Sequence, residues 1–112
     1  MAADSENEAV YVISVASQLT RLHPQTLRLY ERLGLVHPQR VSNNRLFSRA
    51  DIDRLLQIRR LTQEMGVNLA GVEIILDLLE KIDKMQQELD RAKTELAIER
   101  NEIQLLESPT GE

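Results

Sequence analysis

The chain contains no cysteine. That excludes disulfide staples, thiolate metal sites and cysteine nucleophiles. No apolar run approaches the roughly twenty residues that a membrane helix needs. The N-terminus is acidic, unlike a signal peptide, so a cytoplasmic protein without a membrane partner is expected. Histidines are scarce: only His23 and His37 occur. Neither has an acid at catalytic spacing, so no enzyme, no catalytic or metal-binding residue and no cofactor are expected. Lysine is missing before Lys81. Every base in the first part of the chain is therefore arginine, the side chain suited to forked contacts with phosphates and base edges.

What is present is unevenly spread. The 112 residues allow one small domain with an appendage. Their net charge of −4 argues at first against nucleic acid. Yet residues 21–60 hold nine arginines against Glu31, Asp51 and Asp53, a net of +6. Residues 61–112 hold five bases and twelve acids, a net of −7. A basic module fused to an acidic one can hide a nucleic-acid footprint inside an acidic total. Local ion pairing would absorb part of the arginine excess and leave the rest free.

The stretch from His23 to Leu35 reads as one short helix. Pro24 fits its first position and Gly34 the left-handed residue after its end. Leu27, Tyr30 and Leu33, with Leu29 as a further candidate, can face a core, which puts Gln25, Arg28 and Arg32 on or near the outer face. Arginine can fork onto guanine and glutamine onto adenine. Taken alone, the stretch reads better as a solvated surface helix.

Its neighbours bear on the choice. Residues 1–9 read as a disordered acidic leader. Val10 to Ile13 read as a short extended segment packed on the core. Ser14 is the expected N-cap of a helix reaching Thr20, with Ile13, Ala16 and Leu19 inward. This helix, the turn Arg21-Leu22-His23 and the next helix form a helix-turn-helix candidate. Residues 35–47 lack a helical period. Asn43-Asn44 suits a hairpin turn between Arg40-Val41 and Arg45-Leu46-Phe47, a wing with arginines near its tip. Ser48 and Asp51 imitate a capping box for a third helix running to Met65, ended by Gly66. Asn68 caps a fourth, with Leu69, Val72, Ile75, Leu76 and Leu79 inward. Gly71 inside that helix costs up to about 1 kcal/mol against alanine, so close packing is its expected reason.

From Ile82 a heptad takes over. Ile82, Leu89, Leu96 and Ile103 fill one seam position; Met85, Ala92, Glu99 and Leu106 fill the other. No glycine or proline interrupts before Pro109. So narrow an apolar seam needs a partner helix, either a second copy or, alternatively, its own domain. Glu99 departs from the pattern. Residues 108–112 are expected to be a disordered tail.

With these pieces in place, residues 10–79 resemble the winged-helix DNA-binding domain of the MerR-family transcriptional regulators. Thr26-Leu27-Arg28-Leu29-Tyr30-Glu31-Arg32-Leu33-Gly34-Leu35 is close to the family's T-L-R-x-Y-E-x-x-G-L. Pro38-Gln39-Arg40, Asn44-Arg45-Leu46-Phe47-Ser48 and Asp51-Ile52 follow at family spacing. The last helix, over 80–107, resembles the family's antiparallel dimerisation helix. The implied fold class is mainly α: a winged helix-turn-helix domain followed by a long C-terminal antiparallel coiled coil. Within the family, Tyr11 to Ala16, His23 to Arg28 and Gly66 to Val72 resemble the HspR heat-shock repressors. The GlnR/TnrA nitrogen regulators share the Leu-Phe-Ser wing end, but usually carry Arg-Gln-Ile-Arg-Tyr-Tyr where this chain has Gln-Thr-Leu-Arg-Leu-Tyr. The wing departs from the common form, which has a glycine where Asn43-Asn44 stand.

The resemblance implies a sequence-specific repressor of heat-shock and chaperone genes, bound as a homodimer to an inverted repeat in double-stranded DNA, with the chaperone DnaK as co-repressor in some bacteria. A GlnR/TnrA-like nitrogen regulator, or another MerR-family regulator responding to a protein partner, is the alternative. Gln25 and Arg28 would reach base edges, flanked by Thr26 and Leu29. Tyr30 would place its hydroxyl on a phosphate or serve only the core. Arg32 would touch a peripheral phosphate, and Arg45, with Arg40 beside it, the backbone or minor groove. Ser14 would offer hydroxyl and amide to a phosphate or act only as a cap. The dimer seam would be Ile82, Met85, Leu89, Ala92, Leu96, Ile103 and Leu106. From Ile82 to Leu106 is 25 residues, about 37 Å of helix, against about 34–36 Å per DNA turn.

Overall fold

The element order is β1 (Ala9–Val12), α1 (Ile13–Thr20), α2 (Pro24–Arg32), β2 (Gln39–Val41), β3 (Asn44–Ser48), α3 (Arg49–Arg59), a π-helical turn (Arg60–Glu64) and α4 (Leu69–Glu107). This computed structural model describes residues 6–107. The first five residues of the expected leader and the whole expected tail, Ser108 to Glu112, lie outside the described residues. The chain divides into two compact units between Glu73 and Ile74.

In the first unit, β3 is the middle strand of a three-stranded sheet of order β1-β3-β2. The residues from Val10 onward, expected to be merely extended, are a paired strand that already includes Ala9. Val12 faces Leu46 and Tyr11 faces Phe47. Between Ala9 and Tyr11 the register slips by a bulge, which leaves Val10 as the extra residue. On the other side Gln39 pairs Leu46, Arg40 pairs Arg45 and Val41 pairs Asn44. That last pair holds Asn44 in the ladder, so the hairpin turns at Ser42-Asn43, one residue earlier than the asparagine pair suggests. Ser42 takes the left-handed conformation, φ 56°.

Strand β1 runs straight into α1, so Val12 is the N-cap and carries no side-chain cap bond. Ser14 is therefore an exposed first-turn residue, not the cap. Ala16 and Thr20, four apart, are the fully buried pair of this helix, while Leu19 turns outward. Thr20 is tolerated inside because its hydroxyl donates to the Ala16 carbonyl (2.8 Å) and accepts from the Leu22 N–H (3.3 Å). With the Ser17 hydroxyl donating to the Leu22 carbonyl, the turn into α2 is stapled from both sides.

Packing gathers on α3 and β3. Leu27, Val36, Phe47, Leu55, Ile58 and Val72 have no exposed surface, and each such burial stabilises by about 1.5–3 kcal/mol. The Ser48–Asp51 capping box forms in both directions, at 3.1 and 2.9 Å. The helix expected to reach Met65 changes hand-hold at Arg60: its last turn is π-helical. There the Thr62 hydroxyl donates to the Ile58 carbonyl at 2.9 Å, a side-chain bond that competes with the helix ladder. Gly66, φ 68°, ends the run. Asn68 caps α4 through the Gly71 N–H at 2.8 Å. A Cβ on Gly71 would lie 2.8 Å from Val67 Cγ1, so this glycine is a packing requirement.

In the second unit, α4 continues without a break to Glu107, and every described side chain from Asp77 onward is exposed. Ile82, Met85, Leu89, Leu96, Ile103 and Leu106 stand 48–86% open, with Ala92 exposed among them. Leu78, one heptad before Met85, is 51% exposed and extends the stripe upstream. Leu79, expected inward, is open as well. None of the described helices is long and apolar enough to cross a membrane.

Candidate nucleic-acid interface

Helix α2 is cut to length at both ends. His23 Nδ1 accepts the Gln25 N–H at 3.0 Å, which places the ring proton on Nε2. Histidine is not a favoured cap, so the sequence offered no signal for this bond. At the far end the Gly34 N–H donates to Glu31 O and the Leu35 N–H to Tyr30 O, at 3.0 and 2.9 Å. With Gly34 at φ 76°, this is a Schellman ending. It leaves Leu33 as the exposed C-cap residue rather than a core residue, and hands its expected burial to Leu35 and Val36.

Leu27 and Tyr30 face inward. Gln25, Arg28, Leu29 and Arg32 then share the opposite face, Gln25 and Arg32 exposed, Arg28 and Leu29 half-buried. Thr26 is half-buried at their edge. Tyr30 is 6% exposed. No buried side-chain polar atom among the described residues lacks a partner, and the Tyr30 hydroxyl has no partner among those residues. The ring is thus core and the hydroxyl tip opens to water.

The nine arginines of residues 21–60 sort into two groups. Arg49 and Arg60 pair within their own helix to Asp53 and Glu64. Arg59 donates to Gln63. Arg54 donates to the Leu35 carbonyl, tying α3 to the start of the wing. Arg45 and Arg40 both reach Glu31. Among the described residues, Arg21, Arg28 and Arg32, all in the helix-turn-helix, have no partner. Arg21, absent from the sequence reading of the site, occupies the left-handed residue that closes α1, φ 57°.

Glu31 is the other residue that sequence reasoning missed. In the sequence it is one letter of the family string and one acid within a basic stretch, with nothing to mark its partners. Its Oε1 accepts from Arg45 Nε, and Arg40 Nε lies 3.4 Å from Oε2. Burial pushes its carboxyl pKa up. The hydrogen bond and charge of Arg45, followed by those of Arg40, outweigh that and hold it below the ordinary 4.5. Neither wing arginine is therefore a loose cation. Arg45 is 22% exposed and clasped, Arg40 53% exposed beside it. Ser14 stays apart from this clasp, exposed in the first turn of α1.

The arrangement offers hydrogen-bond donors and positive charge to an anionic surface. No group of three or more histidines, aspartates or glutamates among the described residues could hold a metal ion.

Comparison with known proteins agrees with this geometry. Residues 11–94 match the model of the MerR HTH family regulatory protein. A protein of Streptomyces coelicolor described as the heat shock protein HspR is 49% identical over 83 residues, 73% of this chain and 55% of its own. The chain thus spans about half the length of that relative. The HTH-type transcriptional regulator GlnR of Bacillus anthracis is 34% identical over 110 residues, 93% of this chain and 84% of its own. Among solved structures, the transcription regulator PbrR691 from Ralstonia metallidurans CH34, in complex with lead(II), superposes with a TM-score of 0.55 at 26% identity, over 89% of this chain and 88% of that one. GlnR and PbrR691 are described as transcription regulators, and the matching family model is that of a regulatory protein, none of them an enzyme.

Proposed function

The chain belongs to the MerR family of helix-turn-helix regulatory proteins, and from that premise we propose that it represses heat-shock and chaperone genes by binding an inverted-repeat operator as a homodimer in the cytoplasm. The observation that carries DNA recognition is the free face of α2. Arg28 and Arg32 have no partner there among the described residues, Gln25 is exposed beside them, and the clasped wing adjoins through Glu31. In this reading Gln25 and Arg28 read base edges, with Thr26 and Leu29 shaping the approach. Arg21 and Arg32 take phosphates. The Tyr30 hydroxyl tip and Ser14 meet the backbone, and Arg45 with Arg40 contacts it from the wing.

The exposed seam Ile82, Met85, Leu89, Ala92, Leu96, Ile103 and Leu106 supports pairing with a second copy, antiparallel, since a helix this apolar on one side needs a cover. Heat-shock targets are supported by the likeness to the heat shock protein HspR, at 49% identity; a DnaK co-repressor rests on the resemblance to the HspR group alone. A nitrogen-responsive role is the second reading. It is favoured by the match to GlnR, which runs over 93% of this chain.

Footprinting of the purified protein across genomic DNA, with and without DnaK, tests the proposal. Protection of an inverted repeat ahead of chaperone genes, strengthened by DnaK, is the expected result. Protection confined to nitrogen-assimilation promoters would move the reading to the alternative. Failure to protect any duplex at low salt would end the DNA-binding reading.

A further inference from the structure

Three carboxylates lie among the nine arginines of residues 21–60. Asp51 is occupied by the Ser48 N–H, and Asp53 pairs Arg49 one turn away. Glu31 instead reaches across to the wing. It sits on the last turn of α2 and receives guanidiniums from both strands of the wing, Arg45 on β3 and Arg40 on β2. Those two arginines are direct partners across the β2–β3 ladder. Like charges facing each other in a ladder repel, and one carboxylate between them relieves that. The same carboxylate fixes the wing's cations relative to the helix that carries Arg28 and Arg32.

We propose that Glu31 is a positioning residue for duplex recognition: it holds Arg45 and Arg40 in register with the outer face of α2 and withholds their charge from non-specific phosphates. The inference rests on the DNA-binding reading above and deepens it. A long cation that is already clasped loses less freedom when it meets a matched phosphate. A released one meets any phosphate, and each added phosphate contact steepens the fall of affinity with salt by about one logarithmic unit.

The test compares Glu31→Gln with the parent on two duplexes: the inverted repeat that the parent enriches from random-sequence DNA, and a scrambled version. Asp53→Asn is the control, since it makes the same change in net charge away from the clasp. For Glu31→Gln the scrambled duplex is expected to bind about 3- to 10-fold tighter, with a salt slope steeper by about one to two units. The preference for the inverted repeat is expected to fall by a similar factor. Asp53→Asn is expected to keep the parent's preference. In the free protein, the Arg45 Nε–H resonance is expected apart from those of exposed arginines, and to join them in Glu31→Gln.

Equal preference and slope in Glu31→Gln and the parent would overturn the proposal, as would equal losses in Glu31→Gln and Asp53→Asn. So would an Arg45 resonance indifferent to the substitution. Should Glu31→Gln fail to fold, Glu31→Asp carries the test, keeping the charge but shortening the reach; unchanged preference there overturns the proposal too. A parent that enriches no duplex overturns the DNA-binding reading and this inference together. A parent that discriminates, beside a variant that discriminates equally, overturns this inference alone.

Discussion

Replacing Leu89 and Leu96 by aspartate tests the seam of α4. Each leucine is 48% exposed in the single chain. Complete burial of a leucine stabilises by about 1.5–3 kcal/mol, so covering the open half contributes about 1 kcal/mol. A homodimer holds each position twice, which gives about 4 kcal/mol for the two substitutions, or roughly a thousandfold rise in the dimer Kd at 1.4 kcal/mol per decade. Aspartate adds charge beside Glu88, Asp90 and Glu95, which pushes in the same direction. Sedimentation velocity across a concentration series measures this. The parent is expected as a dimer at micromolar concentration, and Leu89→Asp with Leu96→Asp as a monomer. Thr94→Asp, on the other side of the helix, is expected to leave the dimer intact. A doubly substituted protein that sediments as a dimer at the parent's Kd would refute the seam.

Arg28→Ala is expected to cost about 1–3 kcal/mol on the inverted repeat and to relax preference at one base pair. Arg32→Ala should instead weaken all duplexes alike and lower the salt slope by about one; a titration series at several salt concentrations separates the two. Gly71→Ala gains up to about 1 kcal/mol in helix propensity. Its new Cβ, however, meets Val67 Cγ1 at 2.8 Å and Asn68 Oδ1 at 3.4 Å. A displaced Val67 rotamer and a loosened Asn68 cap together cost about 2 kcal/mol, so urea unfolding is expected to show a net loss of about 1 kcal/mol. A stabilised variant would mean that Val67 yields freely. The folded pKa of Glu31 is depressed, so its contribution is complete above the ordinary 4.5 and is lost as pH falls through the lower folded value. Between pH 7 and about pH 3 the parent should therefore lose stability that Glu31→Gln never had. Parallel urea midpoints over that range would contradict the clasp.

Much of the architecture was legible because it rests on local chemistry. Gly34 and Gly66 end their helices with positive φ, as their positions after periodic runs foretell. The Ser48–Asp51 box forms as its spacing implies. The errors came where a neighbour in space overruled a local preference. Ser14 is a good cap in isolation. Pairing of Val12 with Leu46 carries β1 to the edge of α1 and moves the helix start to Ile13. Asn43-Asn44 suits a turn, yet the pairing of Asn44 with Val41 shifts the turn to Ser42-Asn43. Leu19 and Leu33 are apolar enough for a core. Thr20 takes the inward position on α1 because two backbone groups satisfy its hydroxyl, and the Schellman ending turns Leu33 out.

By itself, the sequence determined the helices and the glycine stops at Gly34 and Gly66, the asymmetry between an arginine-rich module and an acidic heptad helix, and the family to which Thr26 to Leu35 points. These follow from side-chain period, backbone permissiveness and charge, which act between residues close in the chain. Only the tertiary structure decided which arginines are free. Glu31 lies nine residues from Arg40 and fourteen from Arg45. No periodicity links such residues; the hairpin fold brings them together. Among the described residues, Arg21, Arg28 and Arg32 form no ion pair, and Glu31 pairs with the wing instead.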